Sequence, residues 1–316
     1  MAIDLTDLVW LVVGLVMLIG GGHFLVGGAS TLARRLGLSE FVVGLTVVAF
    51  GTSAPELAAG IGSVLNGSSG LIVGTVIGSN IANICLVLGA SAMVWPLVCP
   101  PRAARKDAMV TLFVTIVGMI ALRGGIGRLE AVALTAGILV YVALMYAQGR
   151  RDMEAIEDHE KPRGMILLDL IQIGVGLALL TFGSTKLIGA ATSIAIDLEV
   201  SSGLIGLTIV AFGTSVPELA ASLVAAARKK ADIAVGNILG SNVFNTLAVL
   251  GISGLFGPIA VDEATMSRDI WMMLGATIAL PVILILGRDR LTRSGGVVLV
   301  LSYVIYIALI GANLGP

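Results

Sequence analysis

Residues 44–58, GLTVVAFGTSAPELA, return at 206–220 as GLTIVAFGTSVPELA, identical at 13 of 15 positions. The glutamates of the two copies, Glu56 and Glu218, set an offset of 162 residues. With no gap, the same offset lays GTVIGSNIANI at 74–84 onto GNILGSNVFNT at 236–246. It also pairs Gly21 with Gly183 and Gly27 with Gly189 in the flanking apolar stretches. The repetition therefore covers most of both halves and decides the architecture.

Around these copies the chain is built for lipid. Its 316 residues are 57% hydrophobic and 12% charged, with a mean hydropathy of +1.04, whereas soluble domains carry about 25% charged residues. Apolar stretches of about 20 residues, long enough to cross a ~30 Å hydrocarbon core as helices, recur from end to end. Ten spans are predicted, at 8–30, 41–65, 71–95, 107–123, 129–148, 166–190, 203–227, 233–257, 270–287 and 295–313. The first reads as a retained helix rather than a removable signal, because Asp4 and Asp7 precede it and no Lys or Arg occurs before residue 34. A net charge of -1 offers no basic surface for nucleic acid. Cys85 and Cys99 form no metal or redox spacing and read as lipid-buried or structural.

Alternate loops divide the 19 basic residues 15 to 4, and the positive-inside rule makes the richer side cytoplasmic, with both termini outside. Each half holds five spans, an odd number, so the second half enters the membrane from the opposite side. The expected fold is thus an all-α membrane protein of ten transmembrane helices in two inverted five-helix repeats, 1–148 and 164–316, related by a pseudo-two-fold axis in the membrane plane. A solvated cytoplasmic linker of mixed charge, 149–163, joins them. Compact loops without organelle targeting point to the plasma (inner) membrane of a prokaryote.

Glu56 lies about three residues, roughly 5 Å of rise, from the middle of the predicted second span, and Glu218 holds the equivalent place in the seventh. Carboxylates at such depth are costly; they face a bundle interior or a hydrated cavity and mark ion pathways. A structural ion pair is the alternative, but no Lys or Arg lies at comparable depth. Pro55 in Gly51-Thr52-Ser53-Ala54-Pro55-Glu56 lacks an N–H and clashes with the preceding turn, so a kink or break is expected. Carbonyl oxygens freed there need a partner, and a cation can be one. Ala49, Thr52, Ser53 and Glu56 fall at three- and four-residue spacings, so their carbonyl, hydroxyl and carboxylate oxygens can converge. Ala211, Thr214, Ser215 and Glu218 repeat the arrangement.

The second motif adds Ser79 with Asn83 and Ser241 with Asn245, each spaced i, i+4. Back-bonding is the alternative for the hydroxyls, and interhelical hydrogen bonding for the amides. Gly78 and Gly240 are expected to admit a neighbouring helix closely. Two anionic and many neutral oxygens, with no thiolate or paired imidazole, suit a hard cation such as Ca2+ better than zinc or copper. Two carboxylates balance one Ca2+ and can accept Na+ or protons once it leaves.

The paired GTSxPEL and GSNxxN segments in two five-helix halves resemble the alpha repeats of the sodium/calcium exchanger family, within the wider cation/calcium exchanger superfamily. The resemblance implies a secondary antiporter exchanging Na+ for Ca2+ by alternating access, with no cofactor and no enzymatic step. It implies ligation by side chains of Ser53, Glu56, Ser79, Asn83, Ser215, Glu218, Ser241 and Asn245 and by backbone carbonyls of Ala49, Thr52, Ala211 and Thr214. It further implies that the first and sixth spans slide across the other eight. Two features depart from the family. Some members carry an aspartate where this chain has Asn245, and the linker has no room for the large cytoplasmic calcium-sensing domains of the animal exchangers.

H+/Ca2+ exchange on the same carboxylates is the nearest alternative. A passive channel would need a continuous pore, usually a ring of subunits. An intramembrane hydrolase would need a histidine beside Ser53 or Ser215, and neither motif holds one. His23 and Lys186 lie towards the ends of the predicted sliding helices, where snorkelling to the interface competes with a role in proton coupling.

Overall fold

The computed structural model describes residues 4–98, 101–154, 165–200, 209, 211–261 and 265–313. It is helical almost throughout. In chain order the helices are α1 (Leu5–Leu36), α2 (Glu40–Thr52), α3 (Ala54–Leu65), α4 (Gly70–Val94), α5 (Pro101–Leu122), α6 (Arg128–Glu154) and α7 (Ile166–Asp197). A single turn, Ala211–Gly213, precedes α8 (Val216–Ala227), α9 (Ala231–Phe256), α10 (Thr265–Leu286) and α11 (Arg293–Asn313). Two-residue strands β1 (Leu97–Val98) and β2 (Arg290–Leu291) pair antiparallel, Leu97 opposite Leu291.

Seven helices, α1, α4, α6, α7, α9, α10 and α11, are long and apolar enough to cross a membrane, and the bent pair α2–α3 makes an eighth. The chain is therefore an all-helical, multi-pass membrane protein. α5 covers most of the predicted fourth span but carries Arg105, Lys106 and Asp107 within its first two turns, which keeps it outside that set. The predicted seventh span begins on 203–208 and 210, outside the described residues, where Cys99 also lies. Cys85 is buried in α4.

Burial is inverted relative to a water-soluble protein. Large apolar side chains such as Phe113, Leu129, Phe182 and Leu309 face outward, while Glu56, Asn80, Asn83, Glu218, Asn237, Asn242 and Asn245 are buried at the centre. Lipid imposes this arrangement, since a polar group in hydrocarbon has no partner but the protein. α9 is the most enclosed span and α4 the next.

α1 and α7, both 32 residues long, pack against each other along their length. A Cβ on Gly14 would lie 2.9 Å from the Gly183 carbonyl, one on Gly21 2.8 Å from that of Gly176, and one on Gly28 3.0 Å from that of Asp169. The pairs step seven residues up one helix and seven down the other, so the helices run antiparallel with backbones nearly touching. Arg35 and Asp169 join their ends at 2.6 Å.

Several helices overrun their predicted spans. Asp4 caps α1 by accepting from the Thr6 N–H at 2.9 Å, and Gly37, at φ 64°, closes its far end in the left-handed conformation that glycine tolerates. α6 continues to Glu154, so the first residues of the expected 149–163 linker are helical, and 155–163 lie outside the described residues.

Candidate cation site

The second span breaks where the proline predicts. Ser53 leaves helical geometry (φ -88°, ψ 2°), and α2 and α3 meet there at 43°. Pro55 then sits in the first turn of α3, where a missing N–H costs nothing. Ser215 repeats the break with nearly the same angles, φ -88° and ψ 3°, ahead of Pro217 in α8. Segments of wider, π-helical winding lie at Gly44–Val48, Asn83–Leu88 and Asn245–Val249, beside the same motifs; such bulges concentrate at functional sites.

Both breaks point inward at α4 and α9. The Ser53 hydroxyl donates to Glu218 Oε1 at 3.1 Å. Thr52 and Ser241 place their hydroxyls 3.5 Å apart, and Ser79 and Thr214 theirs 3.2 Å apart. Adding 162 to Thr52 gives Thr214 and to Ser79 gives Ser241, so these two contacts are the same contact exchanged between halves. The amides repeat the pattern. Asn83 donates to Asn242 at 3.0 Å and Asn245 to Asn80 at 3.2 Å, again one pair carried onto the other by the offset.

The close packing expected of Gly240 is present, since a Cβ there would lie 2.3 Å from the Leu45 carbonyl and 2.6 Å from Ala49. The residues that the offset places against Gly78 include Leu207, which lies outside the described residues.

Glu56, Glu218, Thr52, Ser53, Ser79, Asn83, Ser215, Ser241 and Asn245 are all buried. Six of their buried oxygens have no hydrogen-bond partner among the described residues: Glu56 Oε1 and Oε2, Glu218 Oε2, Asn83 Oδ1, Asn245 Oδ1 and Ser215 Oγ. Buried acceptors are rarely left so, and a cluster of them is chemically a receptor for positive charge. No three His, Cys, Asp or Glu side chains gather among the described residues. The set is therefore two carboxylates supplemented by neutral oxygens, the donor type of Na+ and Ca2+ rather than of zinc.

Of the expected backbone ligands, the Ala49 carbonyl already accepts the Ser53 N–H at 3.0 Å and faces the Thr52 hydroxyl at 3.3 Å. Sequence reading passed over Asn80, Asn242, Asn237 and Ser222. The first two are the third residues of the two GSN triplets and were legible there. Asn237 has no polar twin of its kind, because the offset puts Thr75 in its place.

His23 and Lys186 lie away from this cluster. Both side chains are exposed; Lys186 rests 4.3 Å above the Trp10 ring, and His23 offers its carbonyl to Arg228 at 3.0 Å. Snorkelling over an aromatic face describes Lys186. An apolar groove of about 640 Å³ between α5 and α6 is lined by outward side chains such as Phe113 and Val140 and belongs to the lipid surface.

A helical membrane bundle with a broken span, the same break repeated at Ser215 and a buried, oxygen-lined acceptor cluster between them defines an ion transporter. The chain belongs to the sodium/calcium exchanger family: the model described as sodium/calcium exchanger protein matches residues 6–147 and 168–311. The two matched blocks begin 162 residues apart. CaxA of Alkalimonas amylolytica is 36% identical over 307 residues, 94% of this chain and 96% of that protein. The sodium/calcium exchanger MaX1 of Methanosarcina acetivorans is 30% identical, covering 95% and 97%. Among solved structures, the sodium-calcium exchanger NCX_Mj superposes with a TM-score of 0.83 at 29% identity, over 96% of this chain and 98% of that one. The chain is thus a membrane antiporter of the cation/Ca2+ exchanger type.

Proposed function

We propose that this protein exchanges Na+ for Ca2+ at one shared site built on Glu56 and Glu218. The observation that carries the proposal is the set of six unpartnered buried oxygens, all on residues of the two repeated motifs. In this reading Ser53, Ser79, Asn83, Ser215, Ser241 and Asn245 complete the side-chain shell, and the carbonyls of Ala49, Thr52, Ala211 and Thr214 are its backbone ligands. Ca2+ and Na+ are cargo; no cofactor takes part and no bond is made or broken, so the protein is not an enzyme. One Ca2+ neutralises the two carboxylates. Na+ competes for the same oxygens, and competition couples the two fluxes.

The architecture proposed with it is ten spans in two inverted five-helix repeats, 1–148 and 164–316, joined through 149–163. Support comes from the hydrogen bonds that recur under the 162-residue offset and from Gly14–Gly183 and Gly21–Gly176, which exchange into one another under it. Inverted repeats place the site near the midplane and let α1 and α7 rock against the rest. The distribution of Lys and Arg supports both termini outside an inner (plasma) membrane.

Proteoliposome flux of 45Ca2+ tests the coupling ion. Uptake should follow an imposed Na+ gradient and be indifferent to a pH gradient at constant Na+. Uptake that follows pH and ignores Na+ would assign H+/Ca2+ exchange to the same carboxylates.

A further inference from the structure

We propose that Asn237 is a positioning residue that keeps the Ala49 carbonyl free for the cation by drawing the Thr52 hydroxyl proton away from it. This rests on the exchanger reading above.

A carbonyl oxygen has two lone pairs. At Ala49 the Ser53 N–H takes one at 3.0 Å, and the Thr52 hydroxyl, 3.3 Å away, stands beside the other. That hydroxyl carries a single proton. Back-bonding to Ala49, the usual habit of a helical threonine, would set it against the cation for the second lone pair. Asn237 Oδ1, 3.2 Å from the same hydroxyl, offers that proton another acceptor, with Ser241 Oγ farther off at 3.5 Å. The amide is held in the orientation that presents its oxygen, because Asn237 Nδ2 donates to Ser222 Oγ at 3.0 Å. Asn237 and Ser222 are both fully buried, so water does not offer Thr52 a substitute acceptor.

The arrangement is one-sided. In the other half the offset carries Asn237 onto Thr75 and Ser222 onto Gly60. Thr75 back-bonds to the Leu71 carbonyl at 2.9 Å and faces outward. Asn237 thus serves the half that holds Ala49.

A double-mutant cycle tests this, because a positioning role through Thr52 must disappear when the Thr52 hydroxyl does. Equilibrium 45Ca2+ binding and saturated transport rate are measured for wild type, Asn237→Leu, Thr52→Val and the double variant. Asn237→Leu should weaken Ca2+ binding about five- to tenfold, the scale of one buried hydrogen bond, with the saturated rate unchanged. In the Thr52→Val background the same substitution should change binding less than about twofold. An equal shift in both backgrounds, or a lost rate with unchanged binding, overturns the assignment. Should Asn237→Leu not fold, Ser222→Ala releases the amide instead and should weaken binding about two- to threefold, again only when Thr52 is present; unchanged binding overturns it. Thr75→Leu should bind as wild type. Wild-type protein that binds Ca2+ but does not exchange it for Na+ ends the antiport proposal while leaving this cycle readable.

Discussion

Ser53 donates its hydroxyl to Glu218 at 3.1 Å, while the counterpart pair under the 162-residue offset, Ser215 and Glu56, makes no such bond. The two halves present the same residues yet satisfy them unequally. Under the alternating access proposed above, such inequality is expected of a conformation that opens to one side.

This difference gives unequal costs for matched substitutions. Ser53→Ala removes a donor from a buried carboxylate and should lower stability without added ions by about 1–2 kcal/mol. Ser215→Ala removes a hydroxyl without a hydrogen-bond partner among the described residues and should be near neutral there. Thermal unfolding in detergent, with and without Ca2+, reads both, and the two variants should converge in lost Ca2+ stabilisation. Equal cost in the ion-free protein would contradict the asymmetry.

Close packing of α1 on α7 fixes a second comparison. A Cβ on Gly176 would lie 2.5 Å from the Leu25 nitrogen and 2.9 Å from the Gly21 carbonyl, whereas Gly189 on the same helix has open space. Gly176→Ala should cost about 1–3 kcal/mol by forcing two backbones apart and should slow flux. Gly189→Ala should leave both unchanged. Melting temperature and initial uptake rate check the pair.

Two ion pairs at helix ends should rank by burial. Arg35 and Asp169 are 11% and 7% exposed, whereas Arg105, paired with Asp289, is 42% exposed. Asp169→Ala leaves a guanidinium short of its carboxylate in a largely dry place and should cost about 3 kcal/mol. Asp289→Ala should cost under about 1 kcal/mol and vary with salt. Denaturation at low and high ionic strength separates them.

Much of this molecule was legible in its sequence, for reasons that particular residues make plain. The duplicated GTSxPEL segment located both breaks, because a proline at a fixed place in a membrane helix has few ways to be accommodated, and Ser53 and Ser215 adopt the same backbone angles. Helix ends were less legible. Hydropathy senses only the lipid-embedded part, while α1 runs on through Arg34 and Arg35 to its glycine cap at Gly37. The crossed amides Asn83–Asn242 and Asn80–Asn245 join residues about 160 positions apart, a separation at which no local pattern specifies a partner. Asn237 was the least accessible of all. Its role depends on which of the buried oxygens around Thr52 takes one proton, and residues 185 positions apart meet there only in the folded chain.

The shared-site claim is tested most directly by 45Ca2+ uptake into Na+-loaded proteoliposomes for Glu56→Gln and Glu218→Gln, with folding verified by gel filtration. Each substitution keeps the shape and removes one of the two charges that balance Ca2+. Uptake should fall by more than about 100-fold in both, as loss of one partner from a buried charge cluster requires. Wild-type uptake in either folded variant would contradict a site held jointly by the two carboxylates.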